Sequence, residues 1–244
     1  MINYDPILQI FSSTLVNDKK YVSGFGTRQL GDSRNIENVI RFFSSAEISY
    51  KTIVLMEQIH SANVEEFTPQ NGKEIERIEE TDGVVTKESQ TPLVVSTADC
   101  VPIIFADKKA ERIGISHQGW RGSMKKLQQK MVKKMIEKGS RAENILVAIG
   151  PAIGACCYDV DDERYYNFLE EFDGYSEKIF QMKGGRYHLN LMLLNYLLLI
   201  DAGIKKEHID WFPFCTKCDK KRFFSNRRDK KHEFGEMMSF VMKV

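Results

Sequence analysis

Apolar stretches rich in β-branched residues recur along the chain at 52–56, 83–86, 93–96, 102–106, 112–116, 145–149 and 209–214. Each is too short for a helix and reads as a strand. Helical period is clear in two places. Across 123–138 the apolar residues Met124, Leu127, Met131, Met135 and Ile136 return at intervals of three and four, lysines occupy the other face, and Gly139 ends the run. Across 189–202 the chain is apolar nearly all round and stops at Gly203, as a central helix would. Weaker helical patterns cover 36–45 and 163–172. Strands outnumber helices, and the early ones follow one another without helical spacers. This predicts an α+β fold with mixed, layered β-sheets flanked by helices rather than a doubly wound sheet. No repeat or Pro/Gly/Ser-rich joint offers a place to cut, so residues 1–244 are expected to form a single domain.

Composition narrows the picture further. With 35 Lys+Arg against 34 Asp+Glu the net charge is +1, so no global field draws the chain to nucleic acid or an anionic membrane. The apolar content of 42% is ordinary for a folded protein. The opening MINYDPILQIFSS lacks a basic n-region and a long apolar stretch, and five cysteines make an odd count. Both features fit a cytoplasmic protein with reduced thiols.

Candidate chemistry collects at strand ends. His60 closes MEQIH, Cys100 lies in STADC between two strand patterns, and His117 ends RIGIS. Zinc accepts imidazole nitrogen and thiolate sulfur, and three protein ligands leave a fourth position open, as in catalytic sites. Simple packing at strand ends is the alternative for each residue taken singly. Elsewhere, Cys215 and Cys218 form half of a zinc or redox motif with no second CxxC, so a pair of free thiols is expected. Cys156 and Cys157 would point to opposite sides of a strand, at least one into the core. The glycine-rich pieces GFGTRQLG and GPAIG miss dinucleotide and P-loop spacings. His188, His208 and His232 sit in polar or helix-flanking contexts and are expected in solvent. The zinc-deaminase signature H-x-E…P-C-x-x-C is absent.

Six ordered blocks, QIHSANV, TDGVVT, STADCVPIIFAD, ISHQGWRG, AIGPAIGACCYDV and FFSNRRD, resemble the laccase-domain or multicopper polyphenol oxidase-like family, now described as zinc-dependent purine nucleoside phosphorylases. With GFGTR the resemblance runs from near residue 24 to Arg228. It implies that His60, Cys100 and His117 are the metal ligands. It also implies a layered α+β fold related to putative cysteine hydrolases that include cytotoxic necrotizing factor. The implied chemistry is phosphorolysis of adenosine and inosine, cleavage of methylthioadenosine, and deamination of adenosine. The implied partners are small-molecule nucleosides and phosphate, with neither nucleic acid nor membrane. One departure concerns the long Gly-rich segment the family carries after this block: here GFGTRQLGDSRN runs almost directly into the next helix, and that loop is expected to border the site.

Phosphorolysis calls for an anion below C1′, and arginine suits bidentate phosphate binding. Arg28, Arg121 and Arg227 with its neighbour Arg228 are the candidates, Arg121 foremost because it opens a helix four residues past His117. Surface charge is the plain alternative for each. Asp99, beside Cys100, is a candidate acid/base or an orienter of a metal-bound histidine, or an Asx turn between strands. Gln58 shares a face with His60 and is a candidate for base or ribose binding, or for satisfying backbone groups. A metal-independent cysteine hydrolase with Cys100 as nucleophile and His117 as base is a second reading, and a non-catalytic zinc-binding protein a third. Copper is the weaker metal choice, because five histidines are too few for a multicopper centre.

Overall fold

The computed structural model describes residues 1–69 and 72–244. Two mixed sheets stack face to face. The seven-stranded one runs in the order Ile2–Asp5, Ile10–Ser13, Tyr21–Gly26, Met237–Lys243, Leu93–Thr97, Ile53–Met56 and Ile75–Ile78. The six-stranded one runs in the order Ile209–Trp211, Ile145–Ile149, Val101–Asp107, Arg112–Gln118, Gly83–Thr86 and Val64–Glu66. A small third sheet joins Asp159–Val160, Arg186–Leu189 and Phe180–Lys183.

The continuous apolar runs follow from burial on both faces. Along Val101–Asp107, Ile104 and Ala106 enter the core between the sheets, where they meet Val54, Met56, Leu93 and Val95. The alternate residues Ile103 and Phe105 face Leu127, Met131, Leu194 and Leu198 of two helices. On the far side, Ile53, Leu55 and Val94 pack under Val39, Phe42 and Phe43 of helix Ile36–Ser45. The layers are therefore helix, sheet, sheet, helix, in one α+β domain of mixed sheets flanked by helices.

Nine of the sixteen strands among the described residues lie outside the predicted runs. Among them are Ile2–Asp5, Ile10–Ser13, Tyr21–Gly26 and Met237–Lys243, of which the last three are mostly buried. Their glycines, serines and lysine broke the pattern. The predicted strand at 209–214 stops at Trp211. The predicted helix at 123–138 is two helices, Trp120–Met124 and Leu127–Glu137, because Lys126 takes the left-handed conformation at φ 56°. The first is tied to the strand end before it, with Gly122 against the Ser61 carbonyl; the second lies on the sheet, where Met131 fills the space above Gly83 and Gly114. Helix Leu191–Asp201 starts two residues later than its pattern, capped by the Asn190 side chain, which accepts from the Leu193 N–H.

Candidate metal centre

Crossing between the sheets brings the three ligand candidates together. The chain leaves the seven-stranded sheet at Thr97 and enters the six-stranded one at Val101, so Cys100 lies at the junction. His117 pairs across from Pro102 on the neighbouring strand, which seats it beside Cys100. His60 arrives from the turn after Ile53–Met56, held at φ 59°. The donor atoms of His60, Cys100 and His117 all lie within 4.8 Å of one another. Cys100 Sγ is 3.8 Å from His60 Nε2. A tetrahedral zinc with the usual bond lengths separates sulfur and nitrogen ligands by about 3.6 Å, so the donor set fits such an ion.

Asp82 makes that convergence possible, and residue-by-residue inspection passed it over. It is fully buried, and its carboxylate accepts from the N–H groups of Ile59, His60 and Ser61 at 3.3, 3.1 and 2.5 Å and from the Ser61 hydroxyl at 2.7 Å. It also lies 2.8 Å from His117 Nδ1. That bond turns Nε2 toward the cluster and raises its basicity as a ligand. Burial alone would raise the Asp82 carboxyl, but these donors hold it below 3.8. The available signal was its place in TDGVVT, one of the motif blocks.

The free pair is strongly coupled. Burial opposes ionisation of both partners, yet the His117 charge draws Cys100 down to about 7, and the Cys100 charge with Asp82 pushes His117 up to about 10. A cation bound here displaces the imidazolium proton, so its affinity rises with pH.

Gly119 keeps the cluster compact: a Cβ there would sit 2.6 Å from His60 Cδ2 and 3.5 Å from Cys100 Sγ. Gly119→Ala is therefore expected to displace the His60 ring and lower Zn²⁺ affinity by tenfold or more, measured by competition with a chelating dye. Overpacking of this kind costs about 1–3 kcal/mol. Unchanged affinity would show that the ring has room to move.

Two chambers open onto the cluster. One, of about 350 Å³, is bordered by Ser33, Arg34, Gln58, Phe234 and Glu236 as well as the three candidates. Ser33 and Arg34 come from the shortened segment after GFGTR, which does border the site. Burial pushes the Glu236 carboxyl above its ordinary value. The other chamber, of about 280 Å³, is bordered by Trp120, Tyr158, Arg164, Asn226 and Arg227 together with His60 and Cys100.

The remaining candidates divide. Arg227 borders the second chamber, its guanidinium 2.9 Å from Asp159 and over the Tyr158 ring. Arg121 is exposed, stacked on Trp120, and borders neither chamber. Arg28 also borders neither; it donates to the Lys220 carbonyl and lies over Phe224. Arg228 donates to the Thr216 and Phe223 carbonyls. The cation that inspection overlooked is Arg164, stacked 4.4 Å over Trp120 with its Nε buried and unpartnered among the described residues. Its sequence signal was hidden in a weak helical pattern.

Asp99 orients neither histidine. Its carboxylate accepts from Thr216 and Ser225 hydroxyls at 2.6 and 3.0 Å and from the Arg227 N–H at 2.8 Å, which leaves it to position the loop carrying Arg227. Gln58 pairs its amide with the backbone of Ser96, donating at 2.8 Å and accepting at 2.9 Å, the backbone-satisfying alternative. His188, expected in solvent, is buried with Nδ1 2.8 Å from the Ala155 carbonyl. No helix among the described residues is long and apolar enough to cross a membrane.

A family model described as multi-copper polyphenol oxidoreductase laccase matches residues 19–243. The chain is similar to a purine nucleoside phosphorylase, YlmD of Bacillus subtilis, at 31% identity over 96% of this chain and 93% of that one. It is also similar, at 31% identity over a shorter span, to adenosine deaminase RL5 from an unknown prokaryotic organism, over 72% of this chain and 70% of that one. The crystal structure of YlmD from Geobacillus stearothermophilus superimposes with a TM-score of 0.86 at 27% identity, covering 99% of this chain and 98% of that one.

Proposed function

The chain belongs to the multi-copper polyphenol oxidoreductase laccase family, and from that premise we propose that it is a zinc-dependent enzyme that phosphorolyses purine nucleosides to free base and ribose 1-phosphate. Adenosine, inosine and methylthioadenosine are the substrates, and deamination of adenosine is a second activity. The observation that carries this reading is a three-donor cluster between two chambers, one bordered by Arg164 and Arg227 and the other by Glu236.

His60, Cys100 and His117 would hold the zinc. The bound ion supplies a net positive charge and an acidified water. A donor set of two imidazoles and one thiolate, with a single such cluster among the described residues, gives no support to multicopper oxidation. Only two of the five histidines take part.

The chain's own groups account for binding and proton handling. Arg164 and Arg227 border the same chamber and receive phosphate. Trp120 holds the Arg164 guanidinium in plane, and Asp99 fixes the backbone that presents Arg227. Glu236, which borders the other chamber and whose carboxyl burial pushes above its ordinary value, is the candidate to protonate a departing purine nitrogen.

The test is product analysis with inosine. Hypoxanthine is expected only when phosphate is present, with ribose 1-phosphate formed in equal amount; base release independent of phosphate would overturn the reading. Arg164→Ala is expected to raise the phosphate KM about ten- to a hundredfold, since hydrogen bonds to charged groups contribute about 1.5–3 kcal/mol. An unchanged phosphate KM removes Arg164 from that role.

The Cys100–His117 pair favours a second reading. A lowered thiol beside a raised imidazole is the pairing a cysteine nucleophile uses. Metal removal separates the two: activity lost to a chelator and restored by Zn²⁺ supports the metal enzyme. Activity that persists without metal and falls on alkylation of Cys100 supports the hydrolase.

A further inference from the structure

The other four cysteines also gather at one point. The sulfur atoms of Cys156, Cys157, Cys215 and Cys218 all lie within 4.8 Å of one another. Cys218 Sγ is 3.6 Å from Cys156 Sγ and 3.4 Å from Cys157 Sγ. These are not disulfide distances, which are close to 2.05 Å. They approach the edge of a zinc tetrathiolate tetrahedron, about 3.8 Å for bonds of about 2.3 Å. The sequence supplies one CxxC and no second; the missing half is the adjacent pair Cys156–Cys157, turned to the same side by the tight turn in which Cys157 and Tyr158 both donate to the Gly154 carbonyl. Cys156 is exposed, and Cys157 is half-buried and packs against the core on the helix side.

We propose that these four cysteines form a second, structural metal site that takes a thiophilic divalent cation, Zn²⁺ foremost, in a closed Cys₄ shell. Its chemistry is distinct from that of the three-donor cluster, because four protein ligands leave no position for substrate. The backbone is shaped for thiolates. The Gly154 N–H donates to Cys215 Sγ at 3.3 Å, and the Cys218 N–H turns to the same sulfur. Binding of a dication would draw the protons from the four thiols. Lys183, whose ammonium donates to the Cys156 carbonyl at 3.0 Å, places positive charge beside the resulting anionic centre.

The position gives the site a purpose. The two cysteine segments are joined by one isolated bridge, Ala152 to Cys215, and by the Thr216 N–H on the Ala152 carbonyl. The first segment leads straight to Tyr158, and Thr216 in the second holds Asp99 beside Cys100. A metal clamping them fixes one wall of the chamber that contains Arg164 and Arg227.

The experiment uses the full chain, purified under reducing conditions, loaded with Zn²⁺ or Co²⁺ and freed of excess metal. Two equivalents per chain are expected in the wild type, one in His60→Ala and one in Cys218→Ser. Cobalt-loaded His60→Ala isolates the second site. It should show the intense sulfur-to-metal charge-transfer and visible bands of a tetrahedral thiolate centre, with four thiols shielded from a thiol reagent. That measurement stands even if Cys218→Ser fails to fold. A His60→Ala protein that binds no metal and leaves its thiols reactive, or that pairs them as disulfides in the presence of Zn²⁺, overturns the proposal. Failure of the catalytic site has a different signature: one equivalent in the wild type, kept in His60→Ala and lost in Cys218→Ser.

Discussion

Cys100→Ala protein is expected to stay folded, to lose one equivalent of bound zinc, and to release hypoxanthine from inosine at least about a thousandfold more slowly than wild type. The fold survives because Cys100 is only half-buried at the strand junction, while the loop around it is held by the Asp99 carboxylate and the Ile153 N–H on the Asp99 carbonyl. The loss is large because two imidazoles alone seldom retain zinc, and the metal supplies several kcal/mol of charge stabilisation at about 1.36 kcal/mol per decade of rate. Circular dichroism checks folding, elemental analysis checks zinc, and phosphate-dependent base release checks activity. A folded variant that keeps wild-type activity would falsify the assignment of Cys100 to the reacting centre.

Asp82→Ala carries the second large effect, on stability and metal affinity together. In the native protein one carboxylate satisfies three backbone N–H groups, a hydroxyl and an imidazole, all shielded from water. Removing it strands those donors and leaves His117 without its partner. Breaking a buried charged pair costs about 3–5 kcal/mol, and losing the orienter of a ligating histidine lowers metal affinity about ten- to a hundredfold. Denaturant unfolding of the metal-free proteins measures the first, and competitive metal titration the second.

The pH dependence has a definite sign. The folded-state carboxyl lies below 3.8, so its contribution is present above that value and is lost as the pH falls through the depressed one. Wild type and Asp82→Ala should therefore converge in stability below about pH 4. A gap that stays constant down to acid pH would mean that Asp82 acts through shape alone.

Asp99 and Asp82 show how far residue type could lead. Each precedes or belongs to a motif block, and each is an aspartate at a strand boundary. Proximity in sequence favoured Asp99, the neighbour of a ligand. In the folded chain Asp99 points away, to Thr216, Ser225 and the Arg227 N–H, and Asp82 reaches across to both histidines. Arg121 and Arg164 repeat the lesson. Arg121 lies four residues past His117, yet it projects outward; Arg164, on another helix, packs over Trp120 into the chamber.

By itself the sequence determined the α+β class, most central strands and the central helix near 189–202, which depend on side-chain period, a local property. It marked His60, Cys100 and His117 as candidate donors only through the motif blocks that resemble a known family. Tertiary structure decided the rest. Met237–Lys243 became a strand only by pairing with neighbours distant in sequence, Tyr21–Gly26 and Leu93–Thr97. The helix at 123–138 broke at Lys126 because its two halves answer to different surfaces, the site loop and the sheet. The partners of Asp82, the inward turn of Arg164 and the gathering of Cys156, Cys157, Cys215 and Cys218 all join segments tens of residues apart. No local pattern encodes such meetings; they exist only once the two sheets have stacked and the loops between them are closed.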